Sequence, residues 1–228
     1  MHVLPPEQLR LWPRLSGAAK LGLVLYGGTA VALHVGHRFS VDFDFFTEEA
    51  LDRDALHRGF PFLAESSVLQ EAPNAYTVLA SDESFAPERI KISFFGGINI
   101  GRVGEPTLTE DGVLEVASLV DLMGTKVKVL LQRVEAKDYL DIAAMLGAGV
   151  SLPGGLAAAR AMYGASFQPS ESLKALTYFE GGDLEALPSA VKTALIEAAS
   201  RVRDLPRVEL LAGQLSGLRP SSVMKPDA

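Results

Sequence analysis

Two segments of one stretch decide how this chain folds: Leu25-Tyr26-Gly27-Gly28-Thr29-Ala30-Val31-Ala32-Leu33, and then Gly36-His37-Arg38-Phe39-Ser40-Val41-Asp42-Phe43-Asp44-Phe45-Phe46. Leu23 to Tyr26 is a short apolar run bounded by glycines, which predicts a strand. Gly27-Gly28 turns the chain sharply after it, and the alanine-rich run from Thr29 to Val35 predicts a short helix. Arg38 to Phe46 then alternates. Phe39, Val41, Phe43 and Phe45 are expected on a core face, with Arg38, Ser40, Asp42 and Asp44 opposite. Two carboxylates two apart on a strand point the same way, with Cβ atoms about 6–7 Å apart.

Upstream, Pro5-Pro6 precedes a helix expected over residues 7–20. Downstream, Thr47 reads as a helix cap, and residues 51–62 as helical. Residues 67–70 and 75–80 read as strands around a Pro73-Asn74 turn. Residues 89–95 form a further strand, closed by Gly96-Gly97, with Lys91, Ser93 and Phe95 on one face. Residues 107–116 are short-stranded or irregular around Asp111-Gly112. From Ser118 the spacing of Leu119, Leu122, Met123, Val127 and Leu130 is helical. Helical segments follow over 136–146, 156–163, 171–179 and 189–201, and the tail from Ser216 is expected to fray. The expected class is therefore α+β: a mixed core over residues 1–117, then a helical domain over 118–228 that contributes to the same cleft.

Composition limits the function. Of 228 residues, 48% are hydrophobic and 21% charged, which excludes a disordered chain. With no cysteine there is no disulfide framework and no thiolate metal site. The formal charge of -7 gives no global attraction to nucleic acid, although a local basic patch can still bind it. No apolar run approaches a membrane span, and the first residues lack the features of a signal peptide. The expected location is cytoplasmic.

Asp42 and Asp44 are the candidate metal ligands, since hard cations take carboxylate oxygens. Gly27 and Gly28 expose helix-start amides for an anion, and Thr29 adds a hydroxyl. Metal beside a phosphate cradle is what phosphoryl or nucleotidyl transfer requires. The plainer alternative is a tight turn followed by solvent-facing aspartates. Arg38 and Ser40 share the aspartate face. Lys126, Arg133 and Lys137 are spaced seven and four apart, with Asp141 four further on. On near-continuous helices they form one stripe able to reach triphosphate oxygens, or else an ordinary solvated face with Lys137 and Asp141 paired. Asp138 and Asp141 are candidates for a general base.

Together these residues resemble the AbiEii/AbiGii toxin nucleotidyltransferases of the DNA polymerase β-like superfamily. Gly27-Gly28-Thr29 is similar to the family's Gly-Gly-Ser/Thr motif, Arg38 and Ser40 to its Arg-x-Ser lead-in, and Asp42 and Asp44 to its Asp-x-Asp. Lys126, Arg133, Lys137-Asp138 and Asp141 resemble its helical Lys…Arg…Lys-Asp-x-x-Asp block. The resemblance spans roughly residues 7–146. It implies a nucleotidyltransferase core with a helical companion, with Asp42, Asp44, Lys126 and Asp138 catalytic. Gly27, Gly28, Thr29, Arg38, Ser40, Arg133 and Lys137 would bind a nucleoside triphosphate, with Mg2+ on Asp42 and Asp44. It also implies a toxin role, a cognate antitoxin, and tRNA or other RNA as a possible acceptor. One departure stands out. The family's superfamily commonly carries a third carboxylate on a neighbouring strand, and here that position is Ser93. Either another acid substitutes, with Asp138 or Asp141 as candidates and Asp82, Glu83 and Glu88 nearby, or one metal alone is held tightly, or catalysis is lost. Kinase-type phosphoryl transfer, or a degenerate nucleotide- or protein-binding module, are the alternatives.

Overall fold

The computed structural model describes residues 3–80 and 90–218. Asp82, Glu83, Glu88 and Arg89 lie outside the described residues, as does the tail beyond Leu218.

Among the described residues seven strands form one mixed sheet: β1 (Val24–Tyr26), β2 (Asp42–Phe46), β3 (Ser67–Ala72), β4 (Ala75–Ala80), β5 (Ile90–Phe95), β6 (Thr107–Leu108) and β7 (Glu115–Val116). Their order is β3-β4-β5-β2-β1-β7-β6. β2 runs antiparallel to β1 and parallel to β5, and β1 runs parallel to β7. The central register pairs Asp42 with Lys91 and Asp44 with Ser93. Register partners present their side chains to the same side of a sheet, so these four share one face.

The other face is core. Phe43, Phe45, Ile92 and Phe94 are fully buried. The Phe45 and Phe94 rings stack with centroids 5.6 Å apart. Each such side chain contributes about 1.5–3 kcal/mol of burial. The alternation expected from Phe39 onward begins only at Asp42. Phe39 is 68% and Val41 61% exposed, because residues 38–41 have no strand partner. The Thr29 hydroxyl donates to the Asp42 carbonyl, and the Ser40 amide donates to Val3, which holds this segment off the sheet.

The helices are α1 (Pro6–Leu11), α2 (Gly17–Lys20), α3 (Gly27–Val35), α4 (Arg53–Gly59), α5 (Leu119–Val129), α6 (Ala136–Gly147), α7 (Leu152–Tyr163), α8 (Pro169–Leu176) and α9 (Ser189–Ser200). The expected helix over 7–20 is two helices around a 3-10 turn at Trp12–Leu15, where Pro13 has no amide to continue the ladder. Thr47 caps no helix. Its hydroxyl accepts the Glu49 amide, and α4 begins later, capped by Asp52, which accepts the Ala55 amide at 2.9 Å. α7 starts earlier than its apolar pattern, at Leu152, because the Ser151 hydroxyl accepts the Gly154 amide and Pro153 is tolerated in a first turn. A Cβ on Gly155 would collide with Met123, so glycine lets α7 press against α5.

Among the described residues the strands precede Ala117 and the long helices follow it, yet one continuous apolar core joins them. The segment after α9 also returns to the sheet. Leu215 is buried, the Ser216 hydroxyl donates to the Glu115 carboxylate, and the Gly217 amide donates to it at 2.9 Å. The chain therefore stays anchored past Ser216, where fraying was expected. No helix among the described residues is long and apolar enough to cross a membrane.

Candidate active site

Between the polar face of the sheet and helices α5 and α6 lies a cavity of about 620 Å3. Its floor is Asp42, Asp44, Lys91 and Ser93, and one end is Gly27 and Gly28 at the start of α3. Lys126, Arg133 and Lys137 line the opposite wall.

Gly27 has φ +72°, a conformation that side chains rarely adopt. A Cβ there would also collide with the Asp44 carboxylate. At Gly28 a Cβ would strike the Arg38 guanidinium and come within 3.4 Å of Asp141 Oδ2. The glycine pair thus admits a carboxylate on one side and a guanidinium on the other. Thr29 is placed differently from expectation. Its hydroxyl is buried against Ser40 Oγ at 2.7 Å and the Asp42 carbonyl, so it braces the approach to β2 and does not line the cavity. Ser40 lines the cavity while remaining nearly buried.

Burial, and then the charge of Asp42, push the Asp44 carboxyl above its ordinary value. Lys91 Nζ lies 3.8 Å from Asp42 Oδ2. Two hard carboxylates on one face, with room left by Gly27, make a donor set that suits a divalent cation. Among the described residues no group of three or more His, Asp or Glu side chains is placed to hold a metal.

The helical wall is built on a buried ion network. Lys126 Nζ sits 2.8 Å from Asp138 Oδ1 and 2.6 Å from Asp141 Oδ2. Asp138 also accepts from Arg133 Nε at 2.8 Å. Asp141 accepts from Arg38 Nε at 2.7 Å and contacts His37 Nε2 at 2.8 Å. Burial alone would raise both carboxyls. For Asp141 the His37 hydrogen bond, Lys126 and Arg38 outweigh it and hold the group well below the usual carboxylate range. For Asp138 the Arg133 hydrogen bond and Lys126 do the same, and Arg133 is raised in turn.

These contacts correct two expectations. Asp138 does not reach the cavity: it is fully enclosed behind Lys126 and Arg133. Asp138 and Asp141 spend their oxygens on Lys126, Arg133, Arg38 and His37, and neither lines the cavity beside Ser93. The single stripe is also corrected. α5 ends at Val129 and α6 begins at Ala136, so the bend, rather than heptad spacing, brings Lys126 and Arg133 onto Asp138. Lys137 pairs with Glu135 at 2.8 Å, not with Asp141. Sequence reasoning left Lys91 out of the site. Its register with Asp42 was the missing signal, and pairing between strands almost fifty residues apart cannot be read from local pattern.

A mixed seven-stranded sheet flanked by these helices is a nucleotidyltransferase-type fold. The family model described as "Nucleotidyl transferase AbiEii toxin, Type IV TA system" matches residues 14–210, and the chain belongs to that family. It is also similar to an uncharacterized protein, aq_aa25, of Aquifex aeolicus (strain VF5). The two are 31% identical over 120 residues, which cover 52% of this chain and 54% of the relative. The chain therefore spans about half the length of that curated relative.

Proposed function

We propose that the protein is a metal-dependent nucleotidyltransferase that moves a nucleotide from a nucleoside triphosphate to an acceptor hydroxyl. The supporting observation is the convergence of Asp42 and Asp44 with Arg38, Lys126 and Arg133 on one cavity of a chain whose net charge is -7. The acids that balance these cations, Asp138 and Asp141, lie behind the wall, so its positive charge faces the cavity.

The donors of Asp42 and Asp44 would hold Mg2+, which when bound neutralises phosphate charge and polarises the phosphorus under attack. The chain's own residues do the rest. The α3 amides after Gly27 and the Arg38 guanidinium receive the outer phosphates. Lys126, fixed between Asp138 and Asp141, presents a charge that needs no reorganisation when negative charge builds on the leaving group. The acceptor oxygen bonds to the α-phosphorus as the bond to the bridging oxygen breaks. Pyrophosphate leaves with the electron pair, and the hydroxyl proton passes to solvent.

The acceptor in this reading is RNA, with tRNA as the first candidate, and the protein acts in the cytoplasm as the toxin beside a cognate antitoxin. Its acidic charge limits RNA contact to the neighbourhood of the cavity. The test uses Mg2+, total RNA, and triphosphates labelled at the α- or γ-phosphorus. Transfer of α-label to RNA, lost in Asp42→Ala, is expected. Transfer of γ-label would instead identify a kinase. No transfer above the Asp42→Ala background would indicate a binding module without catalysis.

A further inference from the structure

Resting on the transferase reading above, we propose that this site holds one divalent cation, on Asp42 and Asp44, and that the Lys91 ammonium provides the second positive charge of the reaction centre. The register of β2 and β5 places Lys91 beside Asp42 and Ser93 beside Asp44 on the cavity face. The ammonium lies 3.8 Å from Asp42 Oδ2, and both side chains are open to the cavity. A two-metal centre sets its ions about 3.5–4 Å apart and binds each through several oxygens.

Here the cavity floor has two carboxylates for such a task. A second ion beside Asp42 would meet the Lys91 ammonium, with only the Ser93 hydroxyl as neighbour on β5. The acids across the cavity offer no relief, since Asp138 and Asp141 already accept from Lys126, Arg133, Arg38 and His37. The ion pair itself adds little stability, because half-exposed pairs are screened by solvent. A lysine on this spot matters through its charge. It is a compact cation on the cavity floor beside Asp42, where negative charge would gather in the reaction.

The test titrates manganese alone into the full chain, following the free ion by electron paramagnetic resonance. Saturation at one ion per chain, abolished by Asp42→Asn, is expected. Two ions per chain, or none, overturns the proposal. Lys91→Met removes a repelling charge, so manganese should bind about tenfold tighter. The same variant should transfer α-label about a hundredfold more slowly, with Lys91→Arg restoring most of the rate. Tighter metal with slower transfer is a combination that a merely structural lysine would not produce. Unchanged manganese affinity in Lys91→Met, or transfer at the wild-type rate, overturns the role of Lys91. If no variant, wild type included, transfers α-label, the transferase reading fails. The manganese counts then still decide the one-ion proposal.

Discussion

Lys126 Nζ and Asp141 Oδ2 meet at 2.6 Å, with Asp141 closed to solvent and Lys126 nearly so at the edge of the cavity, and this contact joins the helical part of the chain to the glycine turn. Asp141 carries the link onward to Arg38, which lies across Gly28. Removing one partner of a buried pair leaves a stranded charge, at a cost of about 3–5 kcal/mol. Asp141→Asn should therefore lose stability of that order in urea unfolding. Lys126→Met combined with Asp141→Asn should lose less than the two single losses added together. Strict additivity would show that the contact is not coupled.

The same network sets an acid limit. Asp141 and Asp138 are held below their unfolded values, so the stability they contribute is complete above the unfolded carboxyl pKa of about 4. It is lost as pH falls through the folded values. Unfolding free energy should drop steeply below about pH 4 in the wild type. The drop should be shallower in Asp141→Asn, and equal slopes would contradict the assignment.

Asp44 is strained in the other direction, buried beside a like charge. In metal-free protein at neutral pH, Asp44→Asn should raise the melting temperature. Adding Mg2+ should raise it in the wild type and leave the variant unmoved. A variant less stable than wild type without metal would overturn the account of this pair.

Gly27 and Gly28 should resist alanine for different reasons and to different degrees. Gly27→Ala suffers both a positive φ and a collision with Asp44, and should lose about 1–3 kcal/mol along with manganese affinity. Gly28→Ala displaces the Arg38 guanidinium. It should weaken triphosphate binding, read by calorimetry, while keeping manganese affinity.

Glu115 secures the end of the described chain through Ser216 and Gly217. Glu115→Ala leaves those donors without their acceptor, at a cost of about 1–3 kcal/mol. Trypsin should then cut faster at Arg207. An unchanged cleavage rate would mean that the Arg102–Ala212 bridge and Leu215 hold the strap without Glu115.

Local pattern carried much of the site. Gly27-Gly28 before a helix, and Asp42 and Asp44 on one strand face, are short-range features, because strand alternation and the left-handed freedom of glycine act within a few residues. The same pattern misplaced Phe39, Val41 and Thr29. An alternating run becomes a strand only where a neighbour supplies hydrogen bonds, and here pairing starts at Asp42.

What the sequence by itself determined is the α+β class, the glycine turn and the pair of aspartates, since each follows from backbone sterics and periodicity over a few residues. What only the tertiary structure decided is which charges face which. Asp138 and Asp141 stand in the sequence as two open carboxylates, and the fold encloses them among Lys126, Arg133, Arg38 and His37. Lys91 stands as one strand residue, and the β2–β5 register sets it beside Asp42. Coulomb energy depends on distance and burial, and for residues fifty or a hundred positions apart both are set by packing.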